Sequence, residues 1–171
     1  MAAVEILEHG TGAPVVMVHG LWSTPFTWME MFNDLRSDPN LRRNYQFWFY
    51  LYPTGQPFWN SAVRFREDLA SLRRTVDPEY RNPAMDQMVL VGHSMGGLVS
   101  KLQTVESRDD YWHIVSDQPF QEVKADEQTR ARLEHLFYFH PNPAVRRIVT
   151  IATPHRGSDV AGIEFVAGRL V

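Results

Sequence analysis

No cysteine occurs among the 171 residues. Disulfides, thiolate metal sites and cysteine nucleophiles are thereby excluded. No long run of one charge sign is present, and the formal net charge is only −3. That balance argues against nucleic acid or an anionic membrane surface as the main partner. No apolar stretch is long enough to cross a bilayer, so no transmembrane segment is expected. Internal repeats and low-complexity tracts are lacking. Met1 to Gly10 carries Glu5 and Glu8 and lacks the basic-then-apolar profile of a signal peptide. The expectation is therefore a soluble, cytoplasmic chain. The hydrophobic fraction, 44%, is ordinary, and the length fits one domain able to bury a real core.

The apolar residues concentrate in four short runs: Val15 to Val18, Phe47 to Leu51, Met88 to Val91 and Ile148 to Ile151. Each is of strand length, rich in β-branched or aromatic residues, and uninterrupted by alternating polar ones. Strands buried on both faces read this way, as in a parallel sheet covered by helices. Helical spacing lies between the runs. Trp28, Met31, Phe32 and Leu35 follow Ser23-Thr24-Pro25, where Ser or Thr can cap and Pro25 fits the first turn. Asn60 precedes a stripe of Ala62, Phe65, Leu69, Leu72 and Val76, stopped by Asp77-Pro78. Leu98, Val99, Leu102 and Val105 form a third stripe after Ser94. Alternating strands and helices predict an α/β class with a mainly parallel central sheet and helices on both faces.

Glu106 to Pro143 breaks the alternation. It is polar, with aromatic clusters at Tyr111-Trp112, Phe120 and Phe137-Tyr138-Phe139, and Gln128 to Phe137 suits a helix. It reads as an insertion at one end of the sheet, and both a plain surface excursion and a cap over the active site are open. Gly157-Ser158-Asp159 has the form of a helix start, with Val160, Ile163, Phe165 and Val166 as its apolar side. No strand follows before Val171, so the expectation is a single, partial domain over 1–171, incomplete at the C-terminus.

Gly92-His93-Ser94-Met95-Gly96 fits G-x-S-x-G between an apolar run and a helical stripe, the context that pattern requires. A sharp strand-to-helix turn brings backbone against backbone, which favours glycine at Gly92 and Gly96, and Gly97 lets the helix sit closer. Ser94 is thus the candidate nucleophile, held in an uncomfortable conformation with its hydroxyl aimed out of the sheet. Acyl transfer also needs donors for the developing oxyanion. One is the backbone N–H of Met95. The second comes from a loop after an earlier strand, and His19-Gly20-Leu21-Trp22 occupies that place, with the N–H of Leu21 the better candidate. The His19 side chain reads as a buried histidine bonded to its own loop. His93 flanks Ser94 and reads as packing. Trp22, Phe26, Trp59 and Trp112 hint at an apolar substrate, though such residues are more often core.

These motifs, together with Thr150-Ile151-Ala152-Thr153-Pro154-His155-Arg156-Gly157-Ser158, resemble bacterial lipases and esterases of the α/β-hydrolase family. The lipase-like branch related to GPI inositol-deacylases is also similar. The resemblance implies an α/β-hydrolase fold and hydrolysis of a small-molecule or lipid ester. It implies no metal or organic cofactor at the reacting centre, and an oxyanion hole supplied by Leu21 and Met95. In that family the acid and then the histidine follow later strands. The histidines after Ser94 here are His113, His135, His140 and His155. His155 alone follows a sheet strand and is the candidate base, although in the resembling lipases it belongs to a structural loop. Asp117 and Asp126 are possible acids by order only. Ser158 or Asp159 reads as a helix cap rather than as a calcium ligand. The leading expectation is a serine ester hydrolase working through an acyl-Ser94 intermediate. The alternatives are a non-catalytic hydrolase domain that binds an acyl ligand or a partner, and thioester or amide hydrolysis on the same serine.

Overall fold

The computed structural model describes residues 3–6 and 11–157. Its centre is a five-stranded sheet. The four apolar runs become β2 (Ala13–Val18), β3 (Tyr45–Leu51), β4 (Met88–His93) and β5 (Val145–Ile151). All four are parallel, in the order β3-β2-β4-β5. The fifth strand, β1 (Ala3–Ile6), adds antiparallel to the outer edge of β3. It was not expected from the sequence, because a short edge strand needs no continuous apolar run.

Successive side chains of a strand face opposite sides, and the core divides accordingly. Val16, Val18, Trp48, Tyr50 and Leu90 pack on one face. There α3 (Phe58–Val76) contributes Ala62, Phe65 and Leu69, and α4 (Met95–Lys101) contributes Val99. Val15, Met17, Phe47, Phe49 and Val91 pack on the other. That side is covered by Trp28, from a 3-10 turn at Pro25–Trp28, and by Phe32 of α1 (Met29–Ser37). Coverage of both faces is why the strand sequences read as unbroken apolar runs.

The helix boundaries differ from expectation in detail. Pro25 does open its turn, but Thr24 precedes it without a side-chain capping bond. The third helix begins at Phe58, before Asn60, whose N–H donates to the Pro57 carbonyl at 3.0 Å. Its end is secured by Arg73, which pairs with Asp77 at 3.1 Å and with Asp86 at 2.9 Å. A short α2 (Pro39–Asn44), not anticipated, is capped by Asp38.

Residues 106–143 hold α5 (Arg108–Trp112), a 3-10 turn at Phe120–Glu122 and α6 (Glu127–Phe137). Trp112, Phe120 and Phe137 form a small core of their own. Asp126 caps α6 by accepting from the Thr129 N–H at 2.9 Å. The segment docks on α3, where His135 meets Glu67 at 2.8 Å and the Arg66 guanidinium lies 4.1 Å from the Phe139 ring centre. Among the described residues no helix is long and apolar enough to cross a membrane. The expected helix after Gly157, and with it Ser158 and Asp159, lies outside the described residues.

Candidate active site

Four parallel strands end on the same edge of the sheet, and loops at that edge are where α/β folds build sites. Ser94 lies there, between β4 and α4, with φ 53° and ψ −124°. A non-glycine residue with positive φ carries backbone strain, which persists only when the surroundings enforce it. Here they do. A Cβ on Gly92 would lie 2.5 Å from the Gly97 Cα, and one on Gly96 would overlap the Val18 and His19 carbonyls. The helix therefore starts against the end of β2. The Ser94 N–H donates to the Ile151 carbonyl at 2.9 Å, tying the turn to β5 as well.

This close approach puts the loop after β2 beside the serine. A Cβ on Gly20 would sit 2.9 Å from the Ser94 Cβ and 3.1 Å from the His93 Nδ1. The loop is held in detail. The Gly20 carbonyl accepts from the Ser23 N–H at 3.3 Å and from the His19 Nδ1 at 3.0 Å. A carbonyl only accepts, so the His19 ring carries its proton on Nδ1. Burial lowers the pKa of His19 below the ordinary histidine value, which keeps the ring neutral. In a trans peptide C=O and N–H point opposite ways. Fixing the Gly20 carbonyl thus fixes the Leu21 N–H, which has no acceptor among the described residues. Met95 opens α4, and first-turn N–H groups have no intrahelical acceptor.

The other histidines are engaged elsewhere. His93 meets the Trp28 ring edge-on at 6.3 Å. His113 Nδ1 lies 3.1 Å from the Ser116 carbonyl, His135 pairs with Glu67, and His140 pairs with Glu106 at 2.8 Å. His155 Nε2 lies 3.1 Å from Thr150 Oγ1, so its ring turns to its own strand. Asp117 is exposed within residues 106–143. Asp126 is engaged as a cap, and its bonds to Thr129 hold its carboxyl below the usual range. Among the described residues no hydrogen bond joins any of these side chains to Ser94. Nor do the described residues contain a cluster of three or more His, Asp or Glu side chains suited to a metal.

Of the aromatic residues noted in the sequence, Trp112 belongs to the small core within residues 106–143. Trp22 and Phe26 are 77% and 82% exposed beside the Gly20 loop. Trp59 lines a small apolar pocket with Phe58, Tyr111, Ile114, Val115 and Phe137, between the start of α3 and residues 106–143. Two residues of the loop after β3 were not singled out from the sequence. The Tyr52 hydroxyl donates to the His19 carbonyl at 2.7 Å, and Thr54 Oγ1 accepts from the Trp22 N–H at 3.1 Å. Both contacts span more than thirty residues of chain, so no local motif announces them.

The parallel sheet, its crossovers and the strained serine at its edge describe one class of fold. The alpha/beta hydrolase family matches residues 15–108, and the chain belongs to that family. No curated protein matches. Among solved structures the chain is similar to the mature form of the Bacillus licheniformis lipase BlEst2, with 18% identity and a TM-score of 0.53. That match covers 96% of this chain and 51% of the lipase, so the chain spans about half the lipase's length. The propeptide form of the same lipase matches at 18% identity and a TM-score of 0.52, over 96% of this chain and 28% of that one. At these identities the likeness shows a shared fold.

Proposed function

We propose that the chain carries the nucleophile half of a serine ester hydrolase, with Ser94 as nucleophile and the Leu21 and Met95 backbone N–H groups as oxyanion donors. The observation that carries this reading is the strained Ser94 at the strand end with the Gly20 loop pressed against it. Membership of the alpha/beta hydrolase family and the lipase fold of the structural relatives support it. Ser94 Oγ bonds to the acyl carbon while charge builds on the carbonyl oxygen between the two N–H groups. The carbon–oxygen bond to the alcohol then breaks, and the alcohol leaves with the proton lost by the serine. Water next attacks acyl-Ser94, its proton returning to Oγ as the free acid departs. The proton needs a carrier, and His155 is the first base to test, once its ring leaves Thr150. Residues 106–143 act as a cap of this single domain, and the apolar pocket against Phe58 and Trp59 receives the acyl chain of a small-molecule or lipid ester.

The second reading, a hydrolase domain that binds an acyl ligand without turnover, draws on the engagement of His113, His135, His140 and His155 with other partners. Labelling separates a reactive serine from an inert one. An alkyl fluorophosphonate should modify the chain once, at Ser94, as read by mass spectrometry of its peptides, and Ser94→Ala should abolish the adduct. Equal labelling of both proteins, or none of either, would overturn the assignment of Ser94.

A further inference from the structure

The loop after β3 touches the Gly20 loop at two points, one on each side of the Gly20–Leu21 peptide. On one side the Tyr52 hydroxyl donates to the His19 carbonyl at 2.7 Å. On the other, Thr54 Oγ1 accepts from the Trp22 N–H at 3.1 Å. The peptide between them carries the N–H assigned above to the oxyanion. Its orientation is a matter of local backbone geometry, and that geometry is not at rest, since Trp22 has φ 50°. A strained turn keeps its shape only when neighbouring contacts over-determine it.

We propose that Tyr52 and Thr54 are positioning residues for the oxyanion hole: together they clamp the Gly20–Leu21 peptide from both sides and so aim the Leu21 N–H. The proposal rests on the reading of Ser94 and Leu21 given above. Tyr52 is well suited to the task. It is 3% exposed, and its ring stacks on His19 with 4.6 Å between ring centres. Burial raises the pKa of its phenol, so the hydroxyl stays a donor throughout the working pH range. A buried carbonyl deprived of its donor is costly, so loss of this hydroxyl frees the His19–Gly20 peptide to turn in search of another. Thr54 does the same from the exposed side, where its oxygen secures the residue after Leu21. Neither side chain needs to touch substrate.

The test compares two reagents on the 171-residue chain: a p-nitrophenyl alkylphosphonate and its analogue with sulfur in place of the phosphoryl oxygen. In each, Ser94 Oγ bonds to phosphorus and p-nitrophenolate leaves. The phosphoryl oxygen occupies the oxyanion position, whereas sulfur is a poor acceptor there. The oxygen reagent should therefore react faster with the native chain. Tyr52→Phe keeps the buried ring and should cut the oxygen-to-sulfur rate ratio by about tenfold, against the order of 10²-fold or more expected for loss of a donor outright. Thr54→Val should lower the same ratio, and should decide the matter if Tyr52→Phe proves unfolded by circular dichroism. Variants that slow both reagents in proportion, leaving the ratio unchanged, would show a purely structural role and overturn the clamp. If the native chain gives no Ser94 adduct, the functional reading itself fails and the clamp with it.

Discussion

His19 sets a pH dependence at the scale of one residue. It is fully buried, bonded through Nδ1 to the Gly20 carbonyl, and its folded pKa lies below 6.5. Below pH 6.5 the unfolded chain takes up this proton while the folded chain resists it. The unfolded state then binds more protons, so stability rises with pH through this window and is lost as pH falls below 6.5 toward the folded value. Urea melts should therefore show a falling midpoint from pH 6.5 down to the carboxylate range. His19→Asn offers an amide N–H where Nδ1 stood and cannot titrate, so it should flatten that slope. An unchanged slope in the variant would assign the proton uptake to other groups. The depressed carboxyl of Asp126 acts in a lower window, below the ordinary carboxylate value. The residues of this region differ in how far the sequence announced them. Ser94 and its glycines were legible because a tight turn against a strand imposes local steric rules. The burial of His19 on its own loop was legible for the same reason. Tyr52 and Thr54 were not, because their partners come from a loop distant in sequence.

Residues 106–143 pose their question at the scale of elements. Trp112, Phe120 and Phe137 form a core separate from both faces of the sheet, and the Trp112 indole N–H donates to the Gln118 carbonyl at 2.7 Å. Trp112→Ala removes the largest member of that core and should cost about 3–5 kcal/mol locally. Hydrogen exchange should then find the amides of α5 and α6 nearly unprotected while those of β2, β3 and β4 keep their protection. Loss of protection in the sheet as well would show that this segment and the sheet unfold as one unit. The four parallel strands were readable because burial on both faces writes a continuous apolar run. Alpha helix α3 was readable from its stripe, though not its start, since Pro57 opens it without a side-chain cap. Edge strand β1 and short α2 left no such mark. The first pairs on one side only, and the second depends on the Asp38 cap and buries no residue of its own.

Over the whole molecule the two edges of the sheet differ. On one side β1 closes the edge of β3. On the other, among the described residues, β5 pairs with β4 alone and is half-buried or exposed along its length, with Val149 47% exposed. The same strand carries Thr150, the partner of His155, and its end accepts the Ser94 N–H. The edge left unpaired among the described residues and the engaged histidine therefore belong to one region, immediately beside the candidate nucleophile. This arrangement sets the activity expected of the 171 residues by themselves. A serine with oxyanion donors but no engaged base retains a rate on the order of 10³-fold over water. Hydrolysis of a short-chain p-nitrophenyl ester should accordingly fall well below the range of about 1 to 10³ per second typical of enzymes. Turnover inside that range would mean that a base reaches Ser94 within this chain, and His155→Ala should then abolish it. Unpaired strand edges promote association, so the assay requires a sample shown by sedimentation to be monodisperse and by circular dichroism to be folded. Under those conditions slow turnover combined with a stoichiometric Ser94 adduct separates a poised but unassisted nucleophile from a serine that serves only to turn the chain.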